Sequence, residues 1–242
     1  MKNALRSFVY LTIGALCFGL TTPLLAATIF DNSENDLTTR FNPGTSQVGD
    51  QIILATDSGL LADRSLTYFS FEYWGANSIH PSTFSGAIQA RVEFYANDGT
   101  PTTMSSGYAP PGTSFYDSGW FSVPTPTNRA TFVFTEGSLP GDFPVGGLWM
   151  PVASNMTWTV QFRHLGAGDS MGVDIYSPPT VGQDYPDYWQ NDGSGWALLT
   201  NSVPMDFAVV MAATVPEPST LALSVCGGLG LLIVARRFRR KQ

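Results

Sequence analysis

Apolar and polar side chains alternate through most long segments of this chain, and that alternation limits the folds open to it. In residues 67–74, Thr67, Phe69, Phe71 and Tyr73 share one side of an extended backbone, and Tyr68, Ser70, Glu72 and Trp74 share the other. A period of two belongs to a strand with one face buried; an amphipathic helix repeats at 3.6. Residues 88–95 repeat the pattern, with Ile88, Ala90, Val92 and Phe94 inward and Gln89, Arg91 and Glu93 outward. Phe132 and Phe134 continue it. So do Trp158, Val160 and Phe162 set against Thr157, Thr159, Gln161 and Arg163, and finally Phe207, Val209 and Met211. Shorter strands are expected at 28–31, 51–55, 115–121, 148–151 and 171–176.

Turn formers punctuate these runs. Asn97-Asp98-Gly99 and Asn191-Asp192-Gly193 suit tight turns, because Asn and Gly tolerate positive φ. Pro110-Pro111-Gly112, Pro124-Thr125-Pro126 and Pro178-Pro179 mark loops. No segment of 28–214 has a helical period. About nine or ten short antiparallel strands at this spacing predict an all-β protein, an antiparallel β-sandwich with a jelly roll as one arrangement.

Charge is distributed unevenly. Residues 28–214 hold eighteen acids against Arg40, Arg64, Arg91, Arg129 and Arg163, with no lysine, a net charge of −13. The whole chain carries only −7 because both ends are basic. So acidic a domain repels phosphate backbones, which argues against nucleic acid as a partner. The only cysteines, Cys17 and Cys226, fall in the two end segments. The middle therefore has neither a disulfide framework nor thiol chemistry.

The ends read as addresses. Met1, Lys2 and Arg6 form a basic start, residues 8–20 are apolar, and Leu24-Leu25-Ala26-Ala27 follows Pro23. This is the pattern of a secretory signal peptide, 1–27, cut after Ala26 or Ala27. At the other end stand Val215, Pro216, Glu217, Pro218 and Ser219, then fifteen uncharged residues, 221–235, then five positive charges within 236–241. A helix of fifteen residues spans about 22 Å, against a bilayer core of about 30 Å, so it suits a transient anchor better than a permanent one. The basic cluster favours retention on the cytoplasmic side.

This tail, 215–242, resembles the PEP-CTERM sorting signal of Gram-negative bacteria. That family is also labelled an ice-binding protein C-terminal domain, a name that describes the tail alone. The resemblance implies an exosortase-type processing enzyme as partner and a cut near Pro216-Glu217-Pro218. It also implies passage across the inner membrane, transient anchoring there, and a final place at the cell surface or in the extracellular matrix. Residues 92–99, 109–113, 115–119, 157–162 and Tyr188-Trp189 resemble the extracellular β-rich choice-anchor domains that precede such tails. That resemblance implies no catalytic residues.

Residue chemistry names no reaction. His80 and His164 lack neighbours at metal-ligand spacing, and there is no G-x-S-x-G elbow, G-x-G-x-x-G or P-loop. No catalytic residue and no cofactor are expected. Glu72 and Glu93, on strands with aromatic company, are the carboxylates a glycoside hydrolase would use; alternation places them in solvent. Asp184, Asp187, Tyr188, Trp189, Asn191, Asp192 and Trp196 gather aromatics, acids and amides in what reads as a loop. That combination binds sugars, and its alternative role is to close one end of the core. A structural calcium has candidates in Asp31, Asn32, Glu34, Asn35 and Asp36, and again in Asp184, Asp187 and Asp192. The expectation is an exported, non-enzymatic interaction domain. A carbohydrate-binding module for exopolysaccharide is the alternative, and a glycoside hydrolase the third reading.

Overall fold

Strands expected from alternation do form, and they pair into two sheets. A computed structural model of the chain describes residues 26–55, 65–100, 108–152 and 154–214. The strands are β1 (Ala26–Asn32), β2 (Asp36–Phe41), β3 (Gln47–Ile53), β4 (Ser65–Asn77), β5 (Gln89–Ala96), β6 (Ser114–Asp117) and β7 (Phe121–Ser122). Then come β8 (Thr127–Thr135), β9 (Leu148–Trp149), β10 (Asn155–Arg163), β11 (Asp169–Tyr176), β12 (Gln183–Asn191), β13 (Trp196–Leu199) and β14 (Val209–Thr214). There is no helix among the described residues.

The first sheet runs β1-β14-β4-β11-β2, and β8 and β9 pair the other edge of β4. The second runs β13-β12-β3-β10-β5-β6, with β7 also on β5. Every strand pairing is antiparallel. The first and last strands are neighbours, Ala26 opposite Thr214.

Aromatic side chains join the sheets. Phe69 and Phe71 of β4 meet Trp158 of β10 at 5.4 and 5.7 Å between ring centres. Phe69 also packs edge-on against Phe94 of β5 at 4.9 Å, and Trp158 against Phe207 at 5.7 Å. All five rings are buried. Such edge-to-face pairs contribute about 0.5–1.5 kcal/mol each beyond the burial of their area.

Three departures from simple alternation have local causes. On β4 the register to β14 skips one residue between Tyr68 and Leu66. Thr67 is the extra residue of a bulge, and Leu66 takes the core position that the pattern assigned to Thr67. Residues 183–191 form strand β12, not a loop. The strand accommodates Pro186 because its register on β3 skips from Asp184 to Tyr188, where no N–H is required. Short strands β2 and β13, missing from the expected set, are edge strands with no buried residue; β2 is largely polar, and β13 is the four-residue run Trp196-Ala197-Leu198-Leu199, too short to show a period. Asn191-Asp192-Gly193 does turn between β12 and β13, with Asn191 Oδ1 accepting the Gly193 N–H at 2.8 Å and Gly193 at φ +101°.

Replacing Phe69 with Ala removes the ring that touches Phe71, Phe94, Phe134 and Trp158 together. Chemical denaturation should show a loss of about 3–5 kcal/mol. Val133→Ala, at a position 52% exposed, should change little.

Candidate functional site

The outer face of the second sheet is where polar residues gather. Cross-strand register sets three rows on it. Glu93, Thr159, Gly49 and Trp189 stand side by side on β5, β10, β3 and β12. Tyr95, Thr157 and Gln51 form the next row toward one end, and Gln47, Asn191 and Trp196 lie toward the other. Alternation predicts solvent for all of these, yet Gln47, Gln51, Glu93, Thr157 and Thr159 are buried.

Two covers account for that burial. Gly49 has no side chain, and a Cβ there would stand 2.7 and 2.8 Å from the methyls of Thr157 and Thr159. Opposite Gly49 in register, Trp189 is fully buried, its Nε1 donating to Gln51 Oε1 at 3.1 Å. Ala109 N–H reaches the same Gln51 oxygen at 3.3 Å, so the segment from residue 108 passes over this end. From the other end Trp196 reaches across to meet Tyr95 edge-on at 5.5 Å, although their strands are four places apart in the sheet. The β12–β13 hairpin therefore curls back over the face.

Beneath Trp196 and Tyr95 lies a polar network. Gln47 Nε2 has Glu93 Oε2 at 2.9 Å, Thr159 Oγ1 at 2.9 Å and Tyr95 Oη at 3.2 Å. Arg91 bridges Glu93 at 3.1 Å and Asp117 at 2.6 Å. Burial raises the Glu93 carboxyl above its usual value, Arg91 opposing. Burial also pushes the Tyr95 phenol up to about 12. Asp117, held by two hydrogen bonds from Arg91, is lowered. Arg163 stacks over Trp120 at 4.0 Å, with Arg91 at 5.9 Å from the same ring. With Glu93 and Gln47 buried, the groups left near the surface are the rings of Trp196, Tyr95 and Trp120, the Asp117 carboxylate held by Arg91, and Asn191, which are types that contact sugar rings and hydroxyls.

The expected sugar-binding set divides across this structure. Asn191, Asp192 and Trp196 sit on the hairpin, at or near the surface. Trp189 and Tyr188 are buried. Asp187 accepts a hydrogen bond from the Tyr108 hydroxyl. Asp184 stands opposite Ile52, on the core side of the sheet. The motif residues Val215, Pro216, Glu217, Pro218 and Ser219 lie outside the described residues, as do most of the signal peptide and the helix expected at 221–235.

Glu72 and Glu93 occupy the outer faces of opposite sheets, with the core between them. They cannot flank one glycosidic bond. Glu72 instead accepts from the Tyr176 hydroxyl at 2.8 Å and pairs with Arg129 at 3.3 Å. Arg129 also binds Asp36, which it lowers, and lies 3.8 Å from buried Asp174.

The acids proposed for calcium near the N-terminus have other partners. Asp31 accepts from Ser33, Asn32 donates to Tyr176 and Phe207 carbonyls, and Asn35 donates to Pro178. Among the described residues no group of three or more His, Cys, Asp or Glu is arranged to hold a metal ion. No helix among them is long and apolar enough to cross a membrane.

No family model matches the chain, and no curated protein or solved structure matches it either.

Glu93→Ala should lower stability by about 1–3 kcal/mol, because it strips a buried amide of an acceptor and Arg91 of a partner. Glu93→Gln keeps an acceptor and should recover most of that loss, as read by urea denaturation at neutral pH.

Proposed function

We propose that this chain is an exported, exosortase-sorted protein of the cell surface or extracellular matrix, and that its sandwich is a non-enzymatic interaction domain. One observation carries the reading beyond the end motifs. The domain's first and last strands pair with each other, Ala26 opposite Thr214. The two ends of the sandwich therefore lie side by side, and a cut after Ala26 or Ala27 trims only the first one or two residues of β1. The separation of Glu72 from Glu93 across the core supports the non-enzymatic part, since paired-carboxylate hydrolysis needs both on one cleft.

A second reading has its own support. The outer face of the second sheet joins Trp196, Tyr95 and Trp120 to Arg91, Asp117 and Asn191, which suits an exopolysaccharide as ligand. Lysine-free and acidic, the domain favours neutral or cation-bridged glycans over strongly anionic ones.

Deleting 216–242 should abolish surface delivery in the native host, and intact-mass measurement of the full-length product should show loss of both end segments. Unchanged delivery without the tail would overturn the sorting proposal. For the glycan reading, an array probed with the processed protein should give signals that Trp196→Ala reduces at least about tenfold, roughly 1.4 kcal/mol. Binding indifferent to Trp196 would remove that face as the site.

A further inference from the structure

Between the sheets stands a group of acids that the surface reading does not use. Asp50 lies on the core side of β3, flanked along the strand by Val48 and Ile52 and across it by Trp158 and Tyr188. It is fully buried. Its Oδ2 accepts the Phe207 N–H at 2.7 Å. Asp184, at the start of β12, uses Oδ1 to accept the Tyr185 N–H at 2.8 Å. Asp206, just before Phe207, is bonded by the Ser177 side chain. Each carboxyl keeps one further oxygen buried and without a partner: Asp50 Oδ1, Asp184 Oδ2 and Asp206 Oδ1.

The Asp50 and Asp184 carboxyls are within hydrogen-bonding reach of each other. Two ionised carboxylates only accept, so they cannot bond; one proton between them makes a short, charge-assisted O–H···O bond. No salt bridge among the described residues reaches any of the three acids. The other titratable groups facing the cluster are Tyr188 and Asp187 from β12 and Tyr108 from the segment above it. None supplies a positive charge.

We propose that Asp50 and Asp184 hold one proton between them at neutral pH, and that this proton latches the start of β12 and the lead-in to β14 onto β3. The latch is placed where the sandwich is otherwise weakly tied. The β12 register skips from Asp184 to Tyr188, and Pro186 contributes there only its carbonyl, to Met205 N–H at 3.0 Å. On loss of the proton the two carboxylates repel across that gap, and residues 183–188 and 205–208 open together.

Burial, then repulsion from Asp206, raises Asp50 well above the ordinary carboxyl range; burial, then repulsion from Asp50, does the same for Asp184; burial raises Asp206 to about 6. The folded chain therefore binds more protons than the unfolded chain above pH ~4. Stability from this cluster is full below that pH and declines as pH rises, through about 6 for Asp206 and further for the pair. Ordinary acid denaturation runs the opposite way.

Hydrogen exchange and thermal melting of the full chain at about pH 5, 7 and 9 test the latch. After correction for intrinsic rates, peptides over 183–188 and 205–208 should exchange at least about tenfold faster at the highest pH than at the lowest, one pK unit of linkage. β10 should stay protected. Asp50→Asn keeps an acceptor for Phe207 and offers an amide donor to Asp184, so it should flatten this dependence and melt higher than wild type in alkali. A variant as pH-sensitive as wild type would overturn the proposal. So would a melting temperature raised by calcium and lowered by chelator in wild type but not in Asp50→Asn, which would make a divalent cation the neutralising group. Should Asp50→Asn not fold, Asp184→Asn and the wild-type exchange profile decide. Uniform protection across β3, β10 and β12 at every pH would sink the latch.

Discussion

The rest of the structure depends on the aromatic seam between the sheets. Phe69, Phe71, Phe94, Trp158 and Phe207 come from β4, β5, β10 and the lead-in to β14, and they meet at ring separations of 4.9–5.7 Å. A cysteine-free domain has no covalent staple, so apolar burial must offset the entropy of ordering the chain. The long strand β4 concentrates that burial. It pairs β14 and β11 along one edge and β8 and β9 along the other, so its ring positions organise most of the first sheet.

With the core filled by rings, the outer faces are free to carry polar chemistry, and they do so unequally. The first sheet sets Arg129 and Arg40 among Asp36, Glu72 and Asp174, a cluster in which most charges find an opposite. The second sheet roofs its polar residues with Trp189, Trp196 and Tyr95. Glu93 is held there by Arg91 and Gln47 instead of by water. A carboxylate in such a setting is fixed in position by its neighbours.

Much of the strand content was legible in the residues. Phe69, Phe71 and Tyr73, then Ala90, Val92 and Phe94, then Trp158, Val160 and Phe162 all face the core as their period demands. β12 was not legible, because acids, Pro186 and aromatics share its residues and a register skip removes the need for strict alternation. The sugar-binding set was legible in part: Asn191, Asp192 and Trp196 remain near the surface, while Trp189 and Asp184 turn away from it. Glu93, Gln47 and Thr159 were missed as a network because residues so far apart meet only through sheet order.

By itself the sequence determined the class of fold, the acidity of the domain and the two address-like ends, since period, charge and local motifs are properties of neighbouring residues. Tertiary structure alone decided which outward residues are roofed and that Glu72 and Glu93 stand on opposite faces. It also decided that the Asp50 and Asp184 carboxyls come within hydrogen-bonding reach, with Asp206 nearby. Each of those outcomes depends on strand order and register, which bring distant residues together at a few ångströms, and no local pattern encodes that distance.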